Sequence, residues 1–388
     1  MKINYSNSVK KLPPYLFAEI DRKKKELIDK GIDIISFGVG DPDTPAPEFI
    51  IDAMKTALDN PVNHQYPFGS GKISFRKAAS AWLKKRFNVD IDPITEIHAL
   101  IGSKEGIAHF PLAFLNPGDI VLVPEPGYPA YNAGVIFAGG ESYFMPLLEK
   151  NNFLPDLESI PSETAKRAKI MYVNYPNNPT AALCGEKDFI KMIEFAKKYD
   201  IIIAHDAAYS EMYYDGKRPI SFLSAPGAKD VGVEFHSLSK TFNMTGWRIG
   251  FVAGNRDIIK GLSIVKDNYD SGVFGAVQDA AVTALEKGDA EAERLRNMYQ
   301  KRRDFFIQKM KSIGWNISCP GATFYVWAKA PDGYTSAECA AKLLDKAGIV
   351  VTPGNGFGPS GEGYVRFTLT VSEKRIEEAV ERIKKLNR

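Results

Sequence analysis

Between Ile34 and about Gly254 the sequence alternates short apolar runs with amphipathic segments, and this alternation narrows the possible folds sharply. The runs include residues 97–101, 120–123, 169–173, 201–204 and 231–235. Between them lie patterns such as 186–199 (EKDFIKMIEFAKKY), with apolar positions at i, i+3, i+4 and i+7, the period of a helix with one buried face. A strand covered on both faces reads as a near-continuous apolar run, and strands that alternate with helices assemble into a mostly parallel sheet with helices on each side. The expected class is α/β.

After Gly254 the pattern changes. A long charged helical stretch runs from 289 to about 311 without Pro or Gly, followed by strand candidates at 324–327 and 363–369 and amphipathic helices at about 336–346 and 372–385. This reads as a smaller α+β unit. The helical segment at 16–30 is expected to pack on it, preceded by an extended arm containing Pro13 and Pro14. The chain has 388 residues, enough for two domains of ordinary size. The expected divisions are 1–36 (arm and first helix), 37–280 (large domain) and 281–388 (small domain).

Composition removes several function classes. Hydrophobic residues at 44% and charged residues at 25% are ordinary for a globular protein, which excludes a disordered or coiled-coil chain. Fifty basic against 47 acidic residues leave +3, so neither nucleic acid nor a membrane surface is expected as a partner. No apolar stretch reaches the ~18–20 residues of a membrane-spanning helix, and no signal peptide is read at the start, so a cytoplasmic protein is expected. Three scattered cysteines and five histidines without ligand spacing give no disulfide framework and no metal site.

Two glycine-rich strings are set aside. GFGPSG at 356–361 fits G-x-G-x-x-G, but it precedes a strand pattern near the C-terminus instead of opening a helix early in a βαβ unit, so it is read as a flexible loop. GSGK at 69–72 resembles a phosphate loop but has Ile73 where Ser or Thr must hold magnesium. His205 and His236 close apolar runs and are read as satisfied, partly buried histidines.

Chemistry concentrates at FHSLSKT (235–241) and the following GWR (246–248). A buried strand ends there, offering two hydroxyls, a lysine and an arginine. A lysine whose pKa is lowered by burial or by nearby cations is an imine-forming nucleophile. Ser237, Ser239 and Arg248 are a donor set that suits phosphate. A solvated strand end with a surface ion pair is the competing explanation. Asp206 stands at the end of a second apolar run, where an unpaired carboxylate would be costly. A protonated pyridine nitrogen is one partner for it, and a helix cap or a salt bridge are the others.

With these motifs the chain resembles the fold-type I, pyridoxal-5'-phosphate-dependent aminotransferases of class I/II, from LPPYLFAEI at 12–20 to YVRFTLT at 364–370. The resemblance implies a large, mixed, mostly parallel seven-stranded sheet domain plus a smaller α+β domain. It implies that Lys240 carries the cofactor as an imine, that Ser237, Ser239 and Arg248 bind its phosphate, and that Asp206 pairs with the pyridine nitrogen. Tyr209 and Asn178 would donate to the ring's 3′-oxygen, Tyr128 would stack on the ring, and Ser103 and Lys104 would offer backbone amides at a helix start, where phosphate binds readily. Arg366 would grip the substrate α-carboxylate, Gly40 would let the substrate approach the backbone, and Lys104, Tyr128 and Asn178 would also border the substrate. A homodimer with shared sites is implied, with Tyr66 reaching the phosphate of the neighbouring subunit's site.

Several strings look like the LL-diaminopimelate branch of this family, among them GVGDPDTP at 38–45, SLSKTFNMTGWRIG at 237–250 and DSGVF at 270–274. That branch implies an amino-acid substrate, 2-oxoglutarate as its partner, and Tyr15, Asp270 and the backbone near Gly69 around the substrate's distal ammonium and carboxylate. Three departures stand out. Ala181 replaces the usual Gly after Asn-Pro-Thr, Gly69 replaces a glutamate of better-known branch members, and residues 266–272 lack the arginine with which aspartate aminotransferases hold a side-chain carboxylate. A broad-range alanine, aspartate or aromatic aminotransferase and a carbon–sulfur lyase on the same fold remain open alternatives.

Overall fold

The computed structural model describes residues 1–14 and 16–386, with the side chains of 16–21 excepted. Tyr15 lies outside the described residues. Twelve strands occur among them: β1 (Ile35–Ser36), β2 (Ile97–Leu100), β3 (Ile120–Glu125), β4 (Glu141–Pro146), β5 (Ala168–Asn174), β6 (Ile202–Asp206), β7 (Gly232–Ser237), β8 (Gly250–Gly254), β9 (Tyr325–Lys329), β10 (Ile349–Val350), β11 (Thr352–Pro353) and β12 (Tyr364–Thr368).

Seven of them form one sheet in the order β2-β8-β7-β6-β5-β3-β4. All neighbours are parallel except β8, which runs against both β2 and β7. The mostly parallel α/β sheet expected from the apolar runs, mixed and seven-stranded as the resemblance implies, is therefore what forms. Strands β2 and β3 are buried along their whole length, whereas the edge strand β4 keeps only Met145 buried. Helices cover both faces. In Glu186–Tyr199 the side chains of Phe189, Met192, Ile193 and Ala196 are buried at the spacing read from sequence, and Asp188 accepts the Gly185 N–H at its start.

The C-terminal part folds around a second core. Strands β11, β12 and β9 make an antiparallel sheet packed on Asp289–Ser312, Ser336–Ala347 and Glu373–Leu386. The short strand β1 pairs in parallel with β10, so Ile35 and Phe37 belong to this core although they lie near the start of the chain. The expected arm before residue 16 contains a short helix, Asn7–Lys11, with Ser6 Oγ accepting the Val9 N–H at its start. The GFGPSG string forms two 3₁₀ turns, Gly354–Phe357 and Pro359–Gly361, fastened to the large sheet by Ser360, whose N–H and hydroxyl both donate to Glu125.

Candidate active site

Six of the seven strands in the large sheet run in the same direction, so their carboxyl ends share one edge, where open α/β sheets bind ligands. Asn174 ends β5, Asp206 ends β6 and Ser237 ends β7. The helix Ser103–Phe114 begins just past β2, and Tyr128 follows β3. The small unit's sheet faces this edge and contributes Tyr325 and Arg366. Together they enclose a cavity of about 380 Å³ lined by Gly40, Ser103, Lys104, Tyr128, Asn178, Asp206, Tyr209, Ser237, Ser239, Lys240, Arg248 and Arg366, among others. These are twelve of the residues singled out from sequence, drawn to one place from positions 40 to 366.

Lys240 follows β7 in the short helix Leu238–Thr241. Its ammonium donates to Gly40 O at 2.7 Å and lies 5.7 Å from the centre of the Phe324 ring. The side chain keeps some exposure to the cavity, yet protein atoms crowd the nitrogen. Burial lowers its pKa to about 8, with Asp41 opposing the shift and Arg248 and Arg366 adding to it. A lysine in this state is appreciably neutral near physiological pH and is able to act as nucleophile or base.

Asp206 is buried, and its carboxylate accepts Tyr131 Oη at 2.8 Å and the Ala208 N–H at 3.2 Å. Burial raises its pKa, and these two hydrogen bonds, with His205 and His236 behind them, hold the rise in check. The two histidines point away from the cavity onto one carboxylate: Glu234 lies 2.9 Å from His205 Nδ1 and 2.6 Å from His236 Nε2. Burial alone would raise the pKa of Glu234, but the imidazoles hold it well below the usual carboxylate range.

Arg248 has a left-handed backbone (φ 53°) and donates to Thr245 O at 2.7 Å. Its guanidinium lies against Gly102, where a Cβ would collide with it, so the glycine at this turn (φ +73°) brings the cation beside the N-terminus of Ser103–Phe114. Arg366 is fully buried and donates to Asn178 Oδ1 at 2.8 Å and Gly38 O at 2.6 Å. Gly40 has a role that sequence did not show, because a Cβ there would overlap Tyr325 and Phe324.

Two singled-out residues lie outside the cavity lining. Tyr66 is exposed and stacked on Phe68 at 5.3 Å. Asp270 accepts Lys266 Nζ at 2.9 Å and the Gly272 N–H at 2.7 Å, an arrangement that alone accounts for a carboxylate at this position. Lys266 is buried and also donates to Glu105 at 2.8 Å, whose other oxygen meets His109 Nδ1. Tyr131, Asn174 and Tyr325 went unread in the sequence because each sits in or beside a string that looks like ordinary core, and Phe357 because it sits in the GFGPSG string that reads as a loop.

The arrangement has known counterparts. The family described as aminotransferase class I and II matches residues 32–383. This chain belongs to that family. It is 58% identical over 382 residues to the LL-diaminopimelate aminotransferase of Aquifex aeolicus, covering 98% of this chain and 99% of that one. The enzyme of the same name from Syntrophobacter fumaroxidans is 56% identical over 379 residues, 98% of each chain. Among solved structures, apo-BacF from Bacillus subtilis superposes with a TM-score of 0.96 at 41% identity, covering 100% of this chain and 99% of that one. A single mutant of Thermus thermophilus aspartate aminotransferase gives 0.91 at 27% identity, over 99% and 100%. The protein is thus an aminotransferase of fold type I.

Proposed function

We propose that this aminotransferase uses pyridoxal phosphate and moves an amino group between LL-2,6-diaminopimelate and 2-oxoglutarate, as a cytoplasmic homodimer serving lysine biosynthesis. The observation that carries the substrate is that relatives 53–58% identical over at least 97% of the chain share the name LL-diaminopimelate aminotransferase.

The donor set fits the cofactor. Lys240 offers an amine for its aldehyde carbon and Asp206 a carboxylate for its ring nitrogen. Tyr209 and Asn178 offer donors for the ring oxygen and Tyr128 a ring to stack on. Ser237, Ser239, Arg248 and the amides of Ser103 and Lys104 suit the phosphate. When bound, the group supplies an electron sink for charge left at the substrate Cα. Asp206, biased toward its neutral form by burial, would be drawn back to the carboxylate by a cationic ring nitrogen. Lys240 Nζ, neutral above about pH 8, is the base that takes the Cα proton. Arg366, held by Asn178 and Gly38, presents its fork to the substrate α-carboxylate.

The dimer is supported by an aromatic surface. Tyr66 and Phe68 are about three-quarters exposed, with Tyr269 and Phe274 also open to solvent. Gly272, between Tyr269 and Phe274, packs against Pro67, between Tyr66 and Phe68. Clustered exposed aromatics mark an interface, and a second copy seated here would receive Tyr66 and Asp270 at its own site. The three free thiols, Cys184, Cys319 and Cys339, accord with a reducing compartment.

Purified protein is assayed with LL-diaminopimelate and 2-oxoglutarate beside alanine, aspartate and aromatic donors. Turnover led by LL-diaminopimelate supports the substrate, and a flat profile or one led by another donor overturns it. Borohydride should fix the cofactor on the peptide containing Lys240, and label on another lysine would remove that assignment.

A further inference from the structure

Tyr325, the first residue of β9, stands where three parts of the site meet. Its hydroxyl lies 2.7 Å from Tyr209 Oη. Its ring lies 4.3 Å from the Arg366 guanidinium carbon, with Phe357 against the same group at 4.8 Å. Its hydroxyl also fills the space over Gly40, whose carbonyl receives the Lys240 ammonium. Tyr325 itself lines the cavity.

Each phenol carries one proton, so the bond between them has two possible polarities. When Tyr209 donates to Tyr325, the oxygen that Tyr209 turns to the cavity is an acceptor. When Tyr325 donates to Tyr209, the Tyr209 proton is released to the cavity. Among the described residues, Tyr209 is the only hydrogen-bond partner of the Tyr325 hydroxyl, so no other acceptor competes for its proton. An anionic oxygen in the cavity selects the second polarity, and a donor that itself receives a hydrogen bond is a stronger donor. Burial keeps both phenols protonated past neutral pH, so the pair retains both protons throughout the working range.

We propose that Tyr325 is a positioning residue that acts on both halves of the site: its hydroxyl aims the Tyr209 proton at the cofactor's ring oxygen, and its ring holds the Arg366 guanidinium that takes the substrate carboxylate. The proposal rests on the pyridoxal phosphate reading above. A purely space-filling Tyr325 would do neither.

The two functions separate by substitution. Tyr325→Phe keeps the ring and removes the hydroxyl, and Tyr325→Leu removes both. With the hydroxyl gone, negative charge on the ring oxygen is less stabilised, and the proton that titrates beside it is held to higher pH. In the cofactor-loaded full-length protein, the pH midpoint of the bound cofactor's visible absorbance should rise by about half a unit to one unit in Tyr325→Phe. The KM for the amino donor should change by less than about twofold. In Tyr325→Leu the KM should rise by about tenfold through loss of the cation–ring contact. Placed on a Tyr209→Phe background, Tyr325→Phe should shift the midpoint no further, because its route runs through Tyr209.

An unchanged midpoint in Tyr325→Phe overturns the proposal, as does an equal shift on the Tyr209→Phe background. Thermal unfolding of each variant identifies any change that is merely a loss of folding, and the Phe variant, which keeps the packing, decides between the two outcomes if the Leu variant fails to fold. A wild-type protein that takes up no pyridoxal phosphate, with no visible absorbance and no borohydride label, overturns the cofactor reading and this proposal together. That result differs from an intact titration that the hydroxyl leaves unmoved.

Discussion

Single side chains in this site are held in states that water would not give them. Lys240 is the sharpest case. With its pKa lowered from 10.5 to about 8, the cofactor-free fold holds a penalised ammonium at every pH below 8. Between about pH 8 and 10.5 the unfolded chain still binds the proton that the folded one has released, so this residue makes stability rise with pH across that window. Carbamylation of Lys240 by cyanate, which needs the neutral amine, should show a midpoint near pH 8 in cofactor-stripped protein; a midpoint near 10.5 would remove the amine from the role of base. Ala181 is a second case. It sits at φ +60° in the loop after Asn178, a conformation costing an alanine ~1–2 kcal/mol and a glycine almost nothing, which explains the glycine usual at this position in the family. Ala181→Gly should raise stability by up to about 1 kcal/mol after the extra freedom of the unfolded glycine is offset, measured as a shift in denaturation midpoint. The residues with distinctive chemistry were legible because lysine, arginine and aspartate at strand ends call for explanation. Tyr131 and Tyr325 were not, because a tyrosine in an apolar string is read by its ring, and only the fold shows where its hydroxyl points.

At the scale of elements, buried regularity was readable and exposed or glycine-bearing pieces were not. The five apolar runs became β2, β3, β5, β6 and β7, and Glu186–Tyr199 formed with its expected bounds. Strand β4 escaped because it is a half-exposed edge, and β8 because its sequence GFVAG is short and carries glycine at both ends. The helix Ser103–Phe114 shows how an element is aimed. Glu105 in its first turn accepts the Ile101 N–H and pairs with Lys266 from Arg256–Tyr269, which ties the helix start to the segment carrying Asp270. Lys266→Met should strand Glu105 and Asp270 and lower stability by about 2–3 kcal/mol, whereas Lys55→Met, at an exposed pair with Asp52, should leave it almost unmoved. Equal effects in thermal unfolding would show that the Lys266 network contributes no more than a surface pair. Asp270→Asn tests the same network against the substrate: unequal losses in kcat/KM for LL-diaminopimelate and alanine would assign Asp270 a distal contact, and equal losses would leave it to Lys266.

Across the whole molecule, two cores share one site, and segment 38–46 is the seam. Lys240 reaches Gly40 from the large unit, while Arg366 and Thr352 hold Gly38 from the small one. Arg302 clamps Asp43 with two bonds of 2.8 and 2.9 Å and also caps Leu369 O. Arg302→Met should lower stability by about 2 kcal/mol and raise the KM for amino donors, since the seam carries Gly40 into the cavity; a stability loss with KM unmoved would confine Arg302 to packing. The pairing of β1 with β10 has a further consequence for how the chain is made. Its partners Ile35 and Ile349 come from opposite ends of the sequence, whereas the large core is complete by about residue 292. During synthesis the large sheet has all its strands well before the last segment leaves the ribosome, and the small unit must wait for strands that are translated last. Domains that fold as units in order of emergence, with such distant pairing among the slowest steps, leave the nascent enzyme with a finished scaffold and an open seam. Emergence of β9 to β12, and not assembly of the large sheet, is then the event that lets a newborn chain close its half of the site.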